Sequence, residues 1–264
     1  MKNLDRQDRA AFSGFAATLH EMVSLNLHES DGMFQGNGRH YLTCGGSALN
    51  VIAAAVGLAG IEPKKILDFG AGAGRVTRWL RAAYGSAEIS ATDTRAEDLE
   101  FCAREFGART WLSGTDVDGL DAPSRYDLIW VGSVLTHLPA NISERLVRKL
   151  LSWLRSDGVL IVSLHGRFVH FRGPQFNYYG VASGWEEIER QYLTEGYGYA
   201  DYPGQDAYGI SLSKPSWATS LAERLEGTRL VLMSERAWDN HHDILALQNR
   251  PVTAPLSVRT SQAI

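Results

Sequence analysis

A chain of 264 residues, 44% hydrophobic and 21% charged, has the make-up of a globular protein and is long enough for one large α/β domain with a sizeable insert. The net charge of −4, with no basic run, argues against a nucleic-acid backbone as partner. Two cysteines without paired spacing, Cys44 and Cys102, argue against a disulfide framework or a cysteine-built zinc site; with a charged start unlike a signal peptide and no apolar run of transmembrane length, a cytoplasmic protein without a membrane span is expected.

Residues 5–28 read as an amphipathic helix, with Phe12, Phe15, Leu19, Met22 and Val23 near helical spacing, packed on the main sheet. Residues 31–46 are glycine-rich and aperiodic and read as loop. Ser47 then caps a helix from Ala48 to Ala59. Residues 1–60 are thus expected as an N-terminal helical cap on a main domain at 61–249.

The stretch KKILDFGAGAGRVTRWL, residues 64–80, carries the strongest signal. A short apolar run ends in Asp68. Glycine follows at every second position, Gly70, Gly72 and Gly74, and then comes a helical pattern through Val76, Trp79 and Leu80. Physically this is strand, tight turn, helix; the glycines allow positive φ and close approach of a ligand to the backbone. Ligands in open α/β sheets sit beyond the carboxyl ends of the strands, so the turn is a nucleotide-site candidate. A dinucleotide fingerprint, G-x-G-x-x-G, would place its third glycine where Arg75 stands, which disfavours a nicotinamide oxidoreductase.

The pattern G-x-G-x-G behind Asp68 instead resembles motif I of the class I S-adenosylmethionine (SAM) methyltransferases, whose glycine turn faces the methionine part of the cofactor. In many of them the segment before motif I folds over the cofactor. That makes Arg39 and Tyr41 candidates for the methionine end, with plain surface loop as the alternative.

The next strand, residues 87–93, ends in Asp93, about 20 residues past the turn, where an acid accepts bonds from ribose hydroxyls in doubly wound folds. Its alternative role is to cap the following helix. Residues 110–112 form a third strand. The resemblance implies that an acid after it meets the adenine amine: Asp116, or Asp118 beside it. Residues 126–131 are an apolar, β-rich fourth strand buried on both faces. YDLIWVGSVLTHLP, residues 126–139, is similar to motif IV of the family. A helix opening at Asn141, the turn Ser156-Asp157-Gly158 and the strand 159–164 match its fifth strand unit. The resemblance covers residues 64–164 well and 215–248 in outline. It implies a doubly wound, mainly parallel seven-stranded α/β sheet of the Rossmann-like methyltransferase type. It also implies a SAM site built from Tyr41, Asp68, Gly70, Ala71, Gly72, Arg75, Asp93, Thr94, Asp116, Val117, Gly132 and Ser133, with S-adenosylhomocysteine as product.

Residues 166–214 are rich in aromatics and glycine, among them Phe168, Phe176, Tyr178, Tyr179, Trp185, Tyr202 and Tyr208. A long irregular stretch inside a compact domain is functional or disordered, and this one is too aromatic for disorder. It reads as an insert roofing a substrate site, or as a lid or oligomer contact without that role. A helix at 216–225, strands at 229–234 and 243–247, and a frayed tail at 250–264 close the chain.

His137 and His165 follow the fourth and fifth strands at the carboxyl edge of the sheet. Either can serve as base toward an oxygen nucleophile, or bond to backbone and shape a loop. His241, His242 and Asp243 suggest a metal, but neighbours on an extended chain point to opposite faces; no metal is expected. GSVLTHLP, YGISLSKPSW and RAWDNHHDILAL look similar to bacterial methyltransferases found alongside glycosyltransferases. The implied reaction is O-methylation of a sugar or glycan hydroxyl. The alternatives are a non-sugar small molecule or a SAM-binding protein without catalysis.

Overall fold

The computed structural model describes residues 2–5, 12–173 and 180–251. At the N-terminus β1 (Lys2–Asn3) pairs antiparallel with β2 (Asn26–Leu27), and between them lies the single turn α1 (Gly14–Ala17). The helix expected over 5–28 is not formed in the described part of that range. Gly14 sits at φ 64, and Asn50 clamps the turn by accepting from the Ala16 amide and donating to the Ser13 carbonyl. Of the apolar residues read as one face, Phe12, Leu19 and Val23 pack with Tyr41, Leu49 and Trp79, while Phe15 and Met22 are exposed. Burial was legible in part; helicity was not.

α2 (Gly38–Ala59) begins well before Ala48, inside the stretch expected as loop. Asn37 caps it by accepting from the His40 amide, and Gly60 ends it in the left-handed region. Gly45 and Gly46 are helical because the next layer presses on them: a Cβ at Gly45 would lie 2.5 Å from both the Arg75 carbonyl and the Trp79 ring. Ser47 is mid-helix, and its hydroxyl accepts from the Asp239 amide. By length and composition α2 could cross a membrane, contrary to the reading that no run is long enough. Most of its length is buried inside the protein, as a core helix requires.

From here strands and helices alternate: β3 (Lys65–Phe69), α3 (Thr77–Ala83), β4 (Glu88–Asp93), α4 (Ala96–Phe106), β5 (Arg109–Leu112), β6 (Tyr126–Val131), α5 (Ala140–Ser152) and β7 (Leu154–Leu164). The insert follows as α6 (Arg167–Arg172), α7 (Trp185–Glu195), β8 (Tyr197–Asp201) and β9 (Gly209–Ser213), and α8 (Pro215–Glu223), β10 (Arg229–Trp238) and β11 (His242–Gln248) close the fold. The seven-stranded sheet has the order β10-β11-β7-β6-β3-β4-β5, parallel except for β11, which is antiparallel to both its neighbours. Ile66, Leu128, Trp130 and Ile161 face one core with α2 and α4; Leu67, Ile129, Val131 and Leu160 face the other with α5 and α8. Such two-sided burial explains why the central strands lack alternation. The chain leaves β3 to one side for β4 and β5 and returns on the other for β6. The carboxyl ends of β3 and β6 therefore flank the crevice of a switch point.

The insert is more regular than its composition suggests. α7 packs on the β8–β9 hairpin around Val169, Trp185, Ile188, Tyr192, Ile210 and Leu212. Phe176, Tyr178 and Tyr179 lie outside the described residues, as does the tail beyond Pro251. β10 and β11 run longer than expected and meet in a three-residue connection, Asp239 to His241, with Asp239 and Asn240 both at φ 54.

Candidate functional site

The turn after β3 is built on backbone. The amides of Gly70 and Ala71 both donate to the Thr92 carbonyl, lashing the turn to β4. Gly72 is left-handed, and a Cβ there would meet nothing within 4 Å, so the turn's rim is open. Gly74 does the packing work of a third glycine: a Cβ would lie 2.4 Å from Phe106 and 3.0 Å from the Cys102 sulfur of α4. Below the turn, Asp68 is buried and accepts from the Thr77 hydroxyl at 2.6 Å; burial pushes its carboxyl up to about 7. It ties β3 to the start of α3.

Asp93 ends β4 beside the turn. Its Oδ2 accepts from the Gly72 amide at 2.8 Å, and its Oδ1 from the amides of Thr94 and Arg95 at 2.8 and 3.2 Å. Asp93 does not cap α4, whose N-cap is Arg95 without a side-chain bond; it braces the two residues that lead into that helix and stands at the crevice. After β5, Asp116 is exposed and accepts from the Asp118 amide, while Asp118 pairs with Arg145 of α5; Val117 is buried in the core. After β6, Ser133 is left-handed at φ 58 and donates its amide to the Ser163 hydroxyl; Gly132 lets the chain pass over Trp130 and Trp238.

On the α2 side, Arg39 is exposed in the first helical turn rather than in a loop. Tyr41 is buried, donates to Asp31 at 2.6 Å and accepts from Arg78; burial pushes its phenol up. Arg75 lies with its guanidinium 5.8 Å from the centre of the Trp238 ring. Trp238 in turn stacks on His242 and donates to the Cys44 carbonyl.

His137 sits in the short turn after β6, under the insert. Its ring stacks on Tyr208 with centroids 5.1 Å apart, and its Nδ1 lies 2.9 Å from the Gly209 carbonyl and 3.3 Å from the Tyr202 hydroxyl. A neutral ring that donates from Nδ1 to Gly209 presents Nε2 as the acceptor. Burial lowers the His137 pKa, so the neutral form prevails near pH 7. His165, after β7, is buried and held well below its ordinary pKa by that burial.

Sequence reasoning missed the company His165 keeps. His242 stacks on it at 5.0 Å between centroids, and His241 meets it edge-on at 5.6 Å. The objection that His241 and His242 point apart assumed an extended chain. The Asp239-Asn240 turn, closed by the bond from the His241 amide to the Trp238 carbonyl, brings both rings to one side, 4.8 Å apart. An Asp-Asn pair ahead of a β-rich run is a turn signal, and the sequence reading of a polar turn before the last strand agrees with it.

Residues 66–158 match the profile of a methyltransferase domain family. Among curated proteins, (S)-coclaurine N-methyltransferase of Thalictrum flavum subsp. glaucum is 29% identical over 116 residues, which cover 41% of this chain and 31% of that protein. The chain thus spans about a third of the length of the curated relative it matches. A SAM-dependent methyltransferase of Clostridium acetobutylicum superposes with a TM-score of 0.55 at 12% identity, over 77% of this chain and 91% of that one. Magnesium protoporphyrin IX methyltransferase of Synechocystis, solved with S-adenosylhomocysteine, gives 0.51 at 16% identity over 83% and 90%. The chain shares the Rossmann-like α/β fold of these methyltransferase structures, and residues 66–158 are similar to a methyltransferase domain.

Proposed function

We propose that this chain is a SAM-dependent methyltransferase that acts on a small molecule. The observation that carries the reading is the pairing of the open glycine turn with Asp93, whose Oδ2 binds the Gly72 amide at the crevice edge. The residues fit the cofactor: an open rim above Gly72, an acid for ribose at Asp93, and Asp116 exposed where an adenine amine is expected. SAM, when bound, supplies a methyl group on a sulfonium that an acceptor displaces in line. Tyr41, Thr94, Gly132 and Ser133 border or support that site in this reading. Asp68 and Arg75 act from beneath, one fixing the strand–helix junction and one lying toward Trp238.

The acceptor in this reading is an oxygen, a hydroxyl of a sugar or glycan. His137 supports it: a neutral imidazole, oriented by Gly209 and flanked by Tyr202 and Tyr208, can take a hydroxyl proton while the aromatic rings cover a sugar face. The insert 166–214 then serves as the lid over that acceptor, in a cytoplasmic enzyme with no nucleic-acid partner. An amine acceptor is the second reading, favoured by the N-methyltransferase named among the relatives. A labelled-methyl transfer screen over glycans, phenols, amines and protein extract decides. Label on a glycan that disappears in His137→Ala supports the first reading. Label only on amines supports the second, and label only in macromolecules refutes both.

A further inference from the structure

We propose that His165, His241 and His242 form a three-nitrogen site for a divalent transition metal of the zinc type, at the carboxyl edge of the sheet beside the acceptor crevice. One ring nitrogen from each of these residues lies within 4.8 Å of the other two. Nitrogens around a tetrahedral ion with bonds of about 2.0–2.1 Å stand roughly 3.3 Å apart, so the rings must close by about 1.5 Å. His241, at the tip of the β10–β11 turn and the least enclosed of the cluster, has the freedom to close. His165 and His242 are held by the core.

The chemistry of the donors suits such an ion. A metal takes neutral imidazole, and these three rings offer their nitrogens from buried and half-buried positions. The Nδ1 of His242 is buried with no hydrogen-bond partner among the described residues, and so is Oδ2 of Asp243, the acid next in sequence. A buried, unpartnered nitrogen on a ring that stacks on His165 is a donor that a bound ion would satisfy. Gly166 makes room for Asp243: a Cβ there would fall 1.8 Å from Oδ2. Asp239 adds negative charge toward His241, and Arg75, Arg172 and Arg236 oppose it. Three protein nitrogens leave a fourth position for an oxygen ligand, the arrangement of catalytic rather than structural zinc. Were that oxygen an acceptor hydroxyl, the ion would sharpen its nucleophilicity, a consequence that rests on the methyltransferase reading; the metal site itself does not.

The test is titration of the full chain with Co2+, read by the visible bands of tetrahedral coordination, followed by displacement with Zn2+. Wild type should develop the bands. His241→Ala and His242→Ala should each weaken binding by at least the roughly 10–100-fold that loss of an outer-shell partner costs, and His20→Ala/His28→Ala should not. X-ray absorption of the zinc-loaded wild type covers the case in which variants fail to fold: three nitrogen scatterers at about 2.0–2.1 Å are expected. Wild-type affinity no better than that of the variants, or an all-oxygen shell, overturns the site. SAM titration by calorimetry runs in parallel. Metal bound without SAM counts against the methyltransferase reading alone, and SAM bound without metal against the metal site alone.

Discussion

Replacing Asp93 with alanine tests the proposed cofactor site most directly, and the structure sets the size of the effect. A carboxylate offers about four lone-pair positions. Three amides already occupy Asp93: Thr94 and Arg95 on Oδ1, Gly72 on Oδ2. One position on Oδ2 remains for a ribose hydroxyl. A hydrogen bond to a charged group contributes about 1.5–3 kcal/mol, which is roughly 10- to 150-fold in Kd at 1.4 kcal/mol per decade. Asp116 is exposed and solvated, so Asp116→Ala should cost only about 0.5–1.5 kcal/mol, roughly 2- to 12-fold. Isothermal titration calorimetry with SAM and S-adenosylhomocysteine measures both, with thermal melts to confirm folding. The reasoning fails if Asp93→Ala binds SAM within about threefold of wild type, or if Asp116→Ala is the more damaging change.

Other outcomes follow from the same geometry. Asp68 titrates at about 7 in the fold against an ordinary 3.8, so between those values the native state holds a proton that the unfolded chain has lost. The stability tied to the neutral acid is full below about pH 4 and is lost as pH rises through about 7. Asp68→Asn cannot ionise, so its melting temperature relative to wild type should climb from pH 4 to pH 8; a flat difference would contradict the assignment. His137→Ala should lower kcat by about 10²–10⁴ while leaving SAM affinity intact. The acidic limb of the wild-type pH profile should fall below the ordinary histidine value of about 6.5, because burial lowers the His137 pKa. Gly74→Ala would thrust a methyl to 2.4 Å from Phe106 at a backbone with φ 79, and should cost about 1–3 kcal/mol of stability. For a chain of this size that is a fall of roughly 2–4 °C in Tm per kcal/mol, read by calorimetry.

The α/β core was legible because its signals are local. Each central strand is a short apolar run, each turn carries its glycine or acid, and both survive unchanged from sequence to sheet. Residues 31–46 were misread for a non-local reason. Gly45 and Gly46 weaken helix propensity, yet Trp79, a residue of α3, fills the space their missing side chains leave. The N-terminal segment erred the other way. Its apolar spacing suited a helix, but the Asn50 clamp and the β1–β2 pairing hold it in turns. On the site, Asp93 could be placed because β4 must end at the crevice. The gathering of His165 with His241 and His242 could not, since it needs β11 to lie antiparallel against β7, a pairing across more than seventy residues of sequence.

Arg78 shows how the N-terminal strap and the glycine turn come to be one unit. It is 1% exposed, and a buried guanidinium must find acceptors for its donors or pay heavily in lost hydration. Nη1 donates to the carbonyls of Ser24 and Asn26, Nη2 to the Tyr41 hydroxyl, and Nε to the carbonyl of Gly74 in the turn itself. Tyr41 passes the interaction on to the Asp31 carboxylate, and the guanidinium lies over the rings of Tyr41 and Phe106. None of these acceptors comes from the central sheet. The α/β core therefore cannot satisfy Arg78 by itself; it needs residues 24–31 and α2 folded over it. Tyr41 thus stands a layer behind the crevice, with its hydroxyl committed to Asp31 and Arg78. Its influence on a bound cofactor would run through the position of the Gly74 carbonyl, and so through the shape of the turn.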